Sequence, residues 1–218
     1  MQEILEIFVS YKICSEKQIG QLNRLALIHG IKAINLHGHV LDYISKIEDK
    51  TKINLSIDFP YSYQNLSAQL ILIKNYLINY GDLINRINLC VPCNIIQENN
   101  RETLKTYCKD LTSSKYFNNK QIRIVFNCLY HKDENEIIEI IDLFQQHGID
   151  NINLLTTQQK LINNDTLLLL SEKIKQMSSV NLGIFINTNK IQHIKTAQQI
   201  KLDSVVVLPN NIFKIFDI

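Results

Sequence analysis

Ile34-Asn35-Leu36 recurs as Ile53-Asn54-Leu55, Ile87-Asn88-Leu89 and Ile152-Asn153-Leu154. Side chains alternate faces along a strand, so in each copy the Asn points away from its two apolar neighbours. Three of the copies follow helix-like stretches that end in Gly, at Gly30, Gly81 and Gly148. The repeated unit is a helix, a turn and a short strand with one apolar face and one amide face. Such strands suit a ring whose outside packs on helices and whose inside holds polar groups.

The rest of the chain follows the same grammar. Strands are expected near Ile4–Ser10, Ala33–His37, Lys52–Asp58, Asn85–Val91, Gln121–Asn127, Asn151–Leu155, Asn181–Asn187 and Ser204–Leu208. Ser15 and Gln18 form a capping-box pattern before a helix over Ile19–Ile28. Asp133 and Glu136 do the same before Ile137–Phe144, with His147-Gly148 as its stop. Helical periodicity also covers Tyr63–Tyr80, Arg101–Leu111, Asp165–Met177 and Ile191–Ile200, and a short last helix is expected over Asn211–Phe216. About eight strands alternating with about eight helices predict an α/β fold, a single-domain (β/α)₈ TIM barrel over residues 1–218. The rival is an open doubly wound sheet, which would carry a Gly-rich loop after its first strand; that loop reads Tyr11-Lys12-Ile13-Cys14.

Charge is balanced, with 23 Lys+Arg against 21 Asp+Glu and a net of +2, so no electrostatic footprint for nucleic acid is present. The apolar stretch around Leu70–Ile78 is interrupted by Lys74 and Asn75 and is too short for a bilayer, so no membrane partner is expected. An odd count of five Cys and an acidic N-terminus without leader character fit a soluble, cytoplasmic protein.

Function in such a barrel sits at the C-terminal ends of the strands. The Asn phase directs Asn35, His37, Asn54, Ser56, Asp58, Asn88, Cys90, Asn127, Asn153, Phe185 and Asn187 inward. Converging amides suit a pocket for a sugar-like small molecule, with Asn35, His37, Asp58, Asn88, Asn127, Asn153 and Asn187 as its ligand-binding set; the competing reading is a filled core in which the amides satisfy one another. Asp58 and His37 are the candidate catalytic pair for acid–base chemistry, or else a structural hydrogen-bonded pair. Cys90-Val-Pro-Cys93, with Cys128, His131, His37 and His39, offers a zinc site on paper. One C-x-x-C without a second close pair does not carry it, nor does it carry a redox role, and no metal is expected. Tyr61, Tyr63, Tyr76 and Tyr80 read as rim and helix-packing residues.

In this order the motifs resemble the deoxyribose-phosphate aldolase family, class I aldolases on a (β/α)₈ barrel. The resemblance runs from about Ile4 to Phe213 and rests on four segments. These are Ile57-Asp58-Phe59-Pro60, Gly30–Gly38, Gly148-Ile149-Asp150-Asn151-Ile152-Asn153 and Leu182-Gly183-Ile184-Phe185. It implies a Schiff-base lysine at the position of Asn153, a second lysine at Phe185 and an acid–base Asp at Asn88. It also implies glycine-rich anion loops where this chain reads Thr188-Asn189-Lys190 and Leu208-Pro209-Asn210-Asn211. An amide nitrogen is not nucleophilic and Pro209 has no N–H to give. The expectation is a divergent member lacking the catalytic lysines. It would be a small-molecule-binding, regulatory or scaffolding pseudoenzyme, without cofactor, as a homo-oligomer or paired with another subunit. Two alternatives stand: an enzyme with altered chemistry on a sugar-like substrate through Asp58 and His37, and residual aldolase activity through Lys160 or Lys190.

Overall fold

The structure is a computed structural model that describes residues 2–9, 15–59, 63–97, 101–117, 120–128, 133–155 and 163–216, with Gln2, Gln97 and Tyr116 by their backbones alone. The elements run β1 (Leu5–Phe8), α1 (Glu16–Ile28), β2 (Ala33–His37), α2 (Leu41–Ser45), β3 (Ile53–Ile57), α3 (Leu66–Tyr80), β4 (Ile84–Cys90), α4 (Cys93–Gln97), α5 (Arg101–Ser113), β5 (Gln121–Asn127), α6 (Glu134–Gln146), β6 (Asn151–Leu155), α7 (Asn164–Met177), β7 (Asn181–Phe185), α8 (Ile191–Gln199), β8 (Ser204–Val207) and α9 (Pro209–Ile215). The eight strands pair in chain order, all parallel, and β8 returns to β1 to close the barrel. The closure excludes the open doubly wound sheet.

Helix starts follow local side-chain chemistry. Ser15 and Gln18 form the reciprocal capping box on α1. Asn65 accepts from the Ala68 N–H before α3, Asp133 from Asn135 before α6, and Asn163 from Thr166 before α7. Gly30 and Gly148, which follow α1 and α6, take the left-handed conformation (φ 57° and 76°) that L side chains avoid.

The Ile-Asn-Leu repeats set the layers. Ile34, Leu36, Ile53, Leu55, Ile87, Leu89, Ile152 and Leu154 are at most 1% exposed and pack outward against the helices. Their Asn partners, Asn35, Asn54, Asn88 and Asn153, are also buried but face the barrel axis. Helix α3 contributes Tyr76, whose ring lies where a side chain on Gly38 would stand, and Tyr80, whose hydroxyl donates to Asp42. Tyr63 is exposed, and Tyr61 lies outside the described residues. Among the described residues no helix is long and apolar enough to cross a membrane.

Several expected boundaries move. β3 ends at Ile57 and not Asp58, β7 at Phe185 and not Asn187, and α9 begins at Pro209 rather than Asn211. The helices α2 and α4, five residues each, give no periodic signal to read.

Candidate functional site

The barrel interior has two storeys. The lower one, toward the N-terminal ends of the strands, is ionic. Glu6 on β1 is fully buried and accepts both guanidinium arms of Arg123 on β5, at 2.9 and 3.0 Å. Arg86 on β4 adds a second cation 3.6 Å from the same carboxylate. Asn35 and Asn54 donate to Glu6 Oε2 at 3.1 and 3.4 Å, Asn54 and Asn88 donate to Asn35 Oδ1 at 3.1 and 2.6 Å, and Asn85 donates to Asn54 Oδ1 at 3.2 Å. The amides therefore belong to a charge-centred network that spans β1 to β5. Glu6, Arg86 and Arg123 were missing from the expected inward set.

The upper storey is apolar. Phe8, Phe59, Cys90, Val125, Leu155 and Val206 form a second cluster, with Phe185 and Leu208 packed on it. The Phe8 ring lies 4.4 Å from Phe59 and 5.5 Å from Phe185, and Phe59 lies 5.2 Å from Phe185. Between the storeys, walled by Asn35, Ser56, Asn88, Asn153 and these rings, the void is about 10 Å³, roughly the room one water requires. A sugar does not fit there.

The expected pair His37 and Asp58 is not brought together. Asp58 has φ 54° in the left-handed region. That twist ends the strand phase: its carboxylate turns aside to accept from the Gln64 N–H (2.7 Å) and Gln69 Nε2 (3.4 Å), while Phe59 turns toward Phe8 and Phe185. His37 is 4% exposed, edge-on to Phe8 and stacked on His39. Burial, then the neighbouring His39, lowers its pKa to about 4, so it is neutral at pH 7. Asn127 is buried at the end of β5. Asn187 is exposed beyond β7, where Asn211 donates to its Oδ1 at 2.9 Å and Asn164 to its carbonyl at 3.2 Å.

The three positions that the resemblance makes catalytic all sit within this packed interior. Asn88 is held in the lower network. Asn153 accepts from Ser204 Oγ at 3.2 Å. Phe185 is part of the upper plug. Lys190 is exposed at the N-cap of α8, and Lys160 lies outside the described residues. In the loop after β7, Thr188 Oγ1 and His193 Nδ1 are 2.6 Å apart, and His193 Nε2 is 3.1 Å from Asp165. Thr188 also accepts the Lys190 N–H, so this chain of contacts fastens the start of α8. Its members are scattered over 29 positions of the sequence and carried no spacing signal.

The buried thiols Cys90, Cys108 and Cys128 show no activation. Burial pushes Cys108 and Cys128 up to about 12 and raises Cys90 further, Asp58 adding to the effect on Cys90. Among the described residues no three His, Cys, Asp or Glu side chains gather as a metal site requires; His131 and Cys14 lie outside them.

The fold is a closed (β/α)₈ barrel, and solved barrels that share it include aldolases. QR15, an aldolase, matches with a TM-score of 0.80 over 97% of this chain and 92% of its own, at 14% identity. A candidate deoxyribose-phosphate aldolase from Toxoplasma gondii ME49 gives 0.74 over 99% and 93%, at 12% identity. Another, from Coccidioides immitis, gives 0.71 over 94% and 80%, at 10% identity. At such identities the likeness is one of fold. No protein-family model matches the sequence, and no curated protein matches it.

Proposed function

We propose that this chain is a deoxyribose-phosphate-aldolase-like barrel that performs no Schiff-base chemistry and acts as a binding or scaffolding protein. One observation carries the reading. At the β6 position where an imine-forming lysine would stand, Asn153 is hydrogen-bonded to Ser204 beneath a phenyl plug that leaves about 10 Å³. An imine needs a free amine and room for a carbonyl beside it. The supporting geometry offers an amide and a filled core. The test is the retro-aldol reaction on deoxyribose 5-phosphate, followed by proton NMR for acetaldehyde. The expected result is no release above a buffer control; sustained turnover by the pure protein overturns the reading.

A second reading, an enzyme of altered chemistry centred on Asp58, is favoured by the left-handed backbone at that residue, a conformation that concentrates at functional sites. It requires Asp58→Asn to abolish a measurable reaction on a sugar-like substrate while the fold persists.

A further inference from the structure

The N-terminal pole of such a barrel ordinarily serves stability, and the C-terminal pole serves ligands. Here the N-terminal pole carries an open groove of about 650 Å³, lined among others by Lys50, Thr51, Lys52, Asp82, Asn85 and Lys120. That volume falls in the range of small-molecule sites. Three lysines and a single acidic residue, Asp82, line it, and among the described residues none of the three lysines is in an ion pair. Like charges gathered without counter-ions repel one another unless an anion is taken up.

Two further features show that the pocket is built. The loop that carries Lys50 and Lys52 is clamped by Asn23 of α1, itself 3% exposed: its Nδ2 donates to the Asp49 carbonyl at 2.6 Å and its Oδ1 accepts the Thr51 N–H at 3.0 Å. Thr51 Oγ1 adds a bond to the Ile31 carbonyl at 3.3 Å. The opposite wall contains a β-bulge. Ile53 pairs with Ile84 but Asn54 pairs with Arg86, so Asn85 is the extra residue. Bulges re-aim side chains, and this one lets Asn85 line the groove while bonding Asn54 in the ionic network. Behind Asn85 that network holds two guanidinium groups against a single carboxylate, adding a buried positive charge to the field of the pole.

We infer that the N-terminal pole binds a small organic polyanion of the phosphorylated class, seated among Lys50, Lys52 and Lys120 with Asn85 at its floor. Among the described residues no aromatic side chain lines the groove, so the recognised chemistry is the anionic group and not a base or a sugar face. The site is remote from Asn153 and independent of whether the barrel catalyses anything.

The experiment is isothermal titration of the full chain with inorganic pyrophosphate at low ionic strength. Saturable one-to-one binding is expected, with Kd below about 1 mM. Lys52→Gln and Lys120→Gln should each weaken it at least about fivefold, the loss of one close charge contact. Lys17→Gln, the same charge change on α1, should leave it unaltered. Lys17 and Lys52 are exposed and Lys120 is half-buried, and circular dichroism verifies the fold of each variant. Absence of saturable binding overturns the inference, and so does equal weakening by Lys17→Gln, which would mark general attraction to a cationic protein.

Discussion

Gly183 and Asn153 face each other across β7 and β6 so closely that a methyl group on Gly183 would lie 1.9 Å from Asn153 Oδ1 and 2.2 Å from Ser204 Oγ. The glycine is what admits the Asn153–Ser204 hydrogen bond to the barrel axis. Gly183→Ala should therefore destabilise the protein by about 1–3 kcal/mol, the usual penalty for overpacking. The urea midpoint measures it. In Gly183→Ala/Asn153→Ala/Ser204→Ala part of that loss should return, because both colliding side-chain oxygens are removed; additive losses would show that the three residues are not coupled.

The Glu6–Arg123 pair makes a second prediction. Glu6→Gln leaves two guanidinium groups in the core with their carboxylate gone. Breaking a buried pair from one side costs about 3–5 kcal/mol, whereas replacing both members with apolar residues costs far less. Chemical denaturation of Glu6→Gln, Arg123→Met and Glu6→Leu/Arg123→Met should show the double variant more stable than Glu6→Gln.

How much of this was legible beforehand follows from where the signals lie. The Asn of each Ile-Asn-Leu repeat gave the phase of four strands, and the capping residues gave helix starts, because both are local patterns. Glu6 lies between Leu5 and Ile7, and Arg123 between Ile122 and Ile124, in the same alternation as the amides. The phase was there to be read, but each charge in isolation looks like a solvated strand residue. Their pairing spans 117 positions and only closure of the barrel brings them together. Asp58 misled for the opposite reason: its left-handed φ reverses the strand phase, and no neighbouring residue announces that conformation in an L-amino acid.

His37 gives a pH prediction with a definite sign. Its folded pKa of about 4 lies below the ordinary 6.5, so between those values the unfolded chain takes up a proton that the folded chain refuses. Stability should fall as pH drops from about 6.5 to 4, by up to about 3 kcal/mol, and this contribution levels off below 4. Carboxylates also titrate in the lower part of that window, so the informative comparison is the wild-type urea midpoint against that of His37→Gln. The variant should lose this part of the acid sensitivity.

Phe8 is the hub of the upper plug, in ring contact with His37, Phe59 and Phe185. Phe8→Ala should lower stability by about 3–5 kcal/mol through the cavity it leaves. Water admitted beside His37 should also raise its pKa toward 6.5, measurable by NMR titration of the imidazole. An unmoved titration would mean that the ring does not shield the imidazole.

Borohydride trapping is the most direct test of the packed interior, in which the described residues place no lysine. The protein is incubated with deoxyribose 5-phosphate or with acetaldehyde, reduced, and weighed intact by mass spectrometry. The account predicts an unchanged mass, since Asn153 offers no attacking amine and about 10 Å³ admits no carbonyl compound. A saturable, stoichiometric mass gain mapped to a lysine would contradict it.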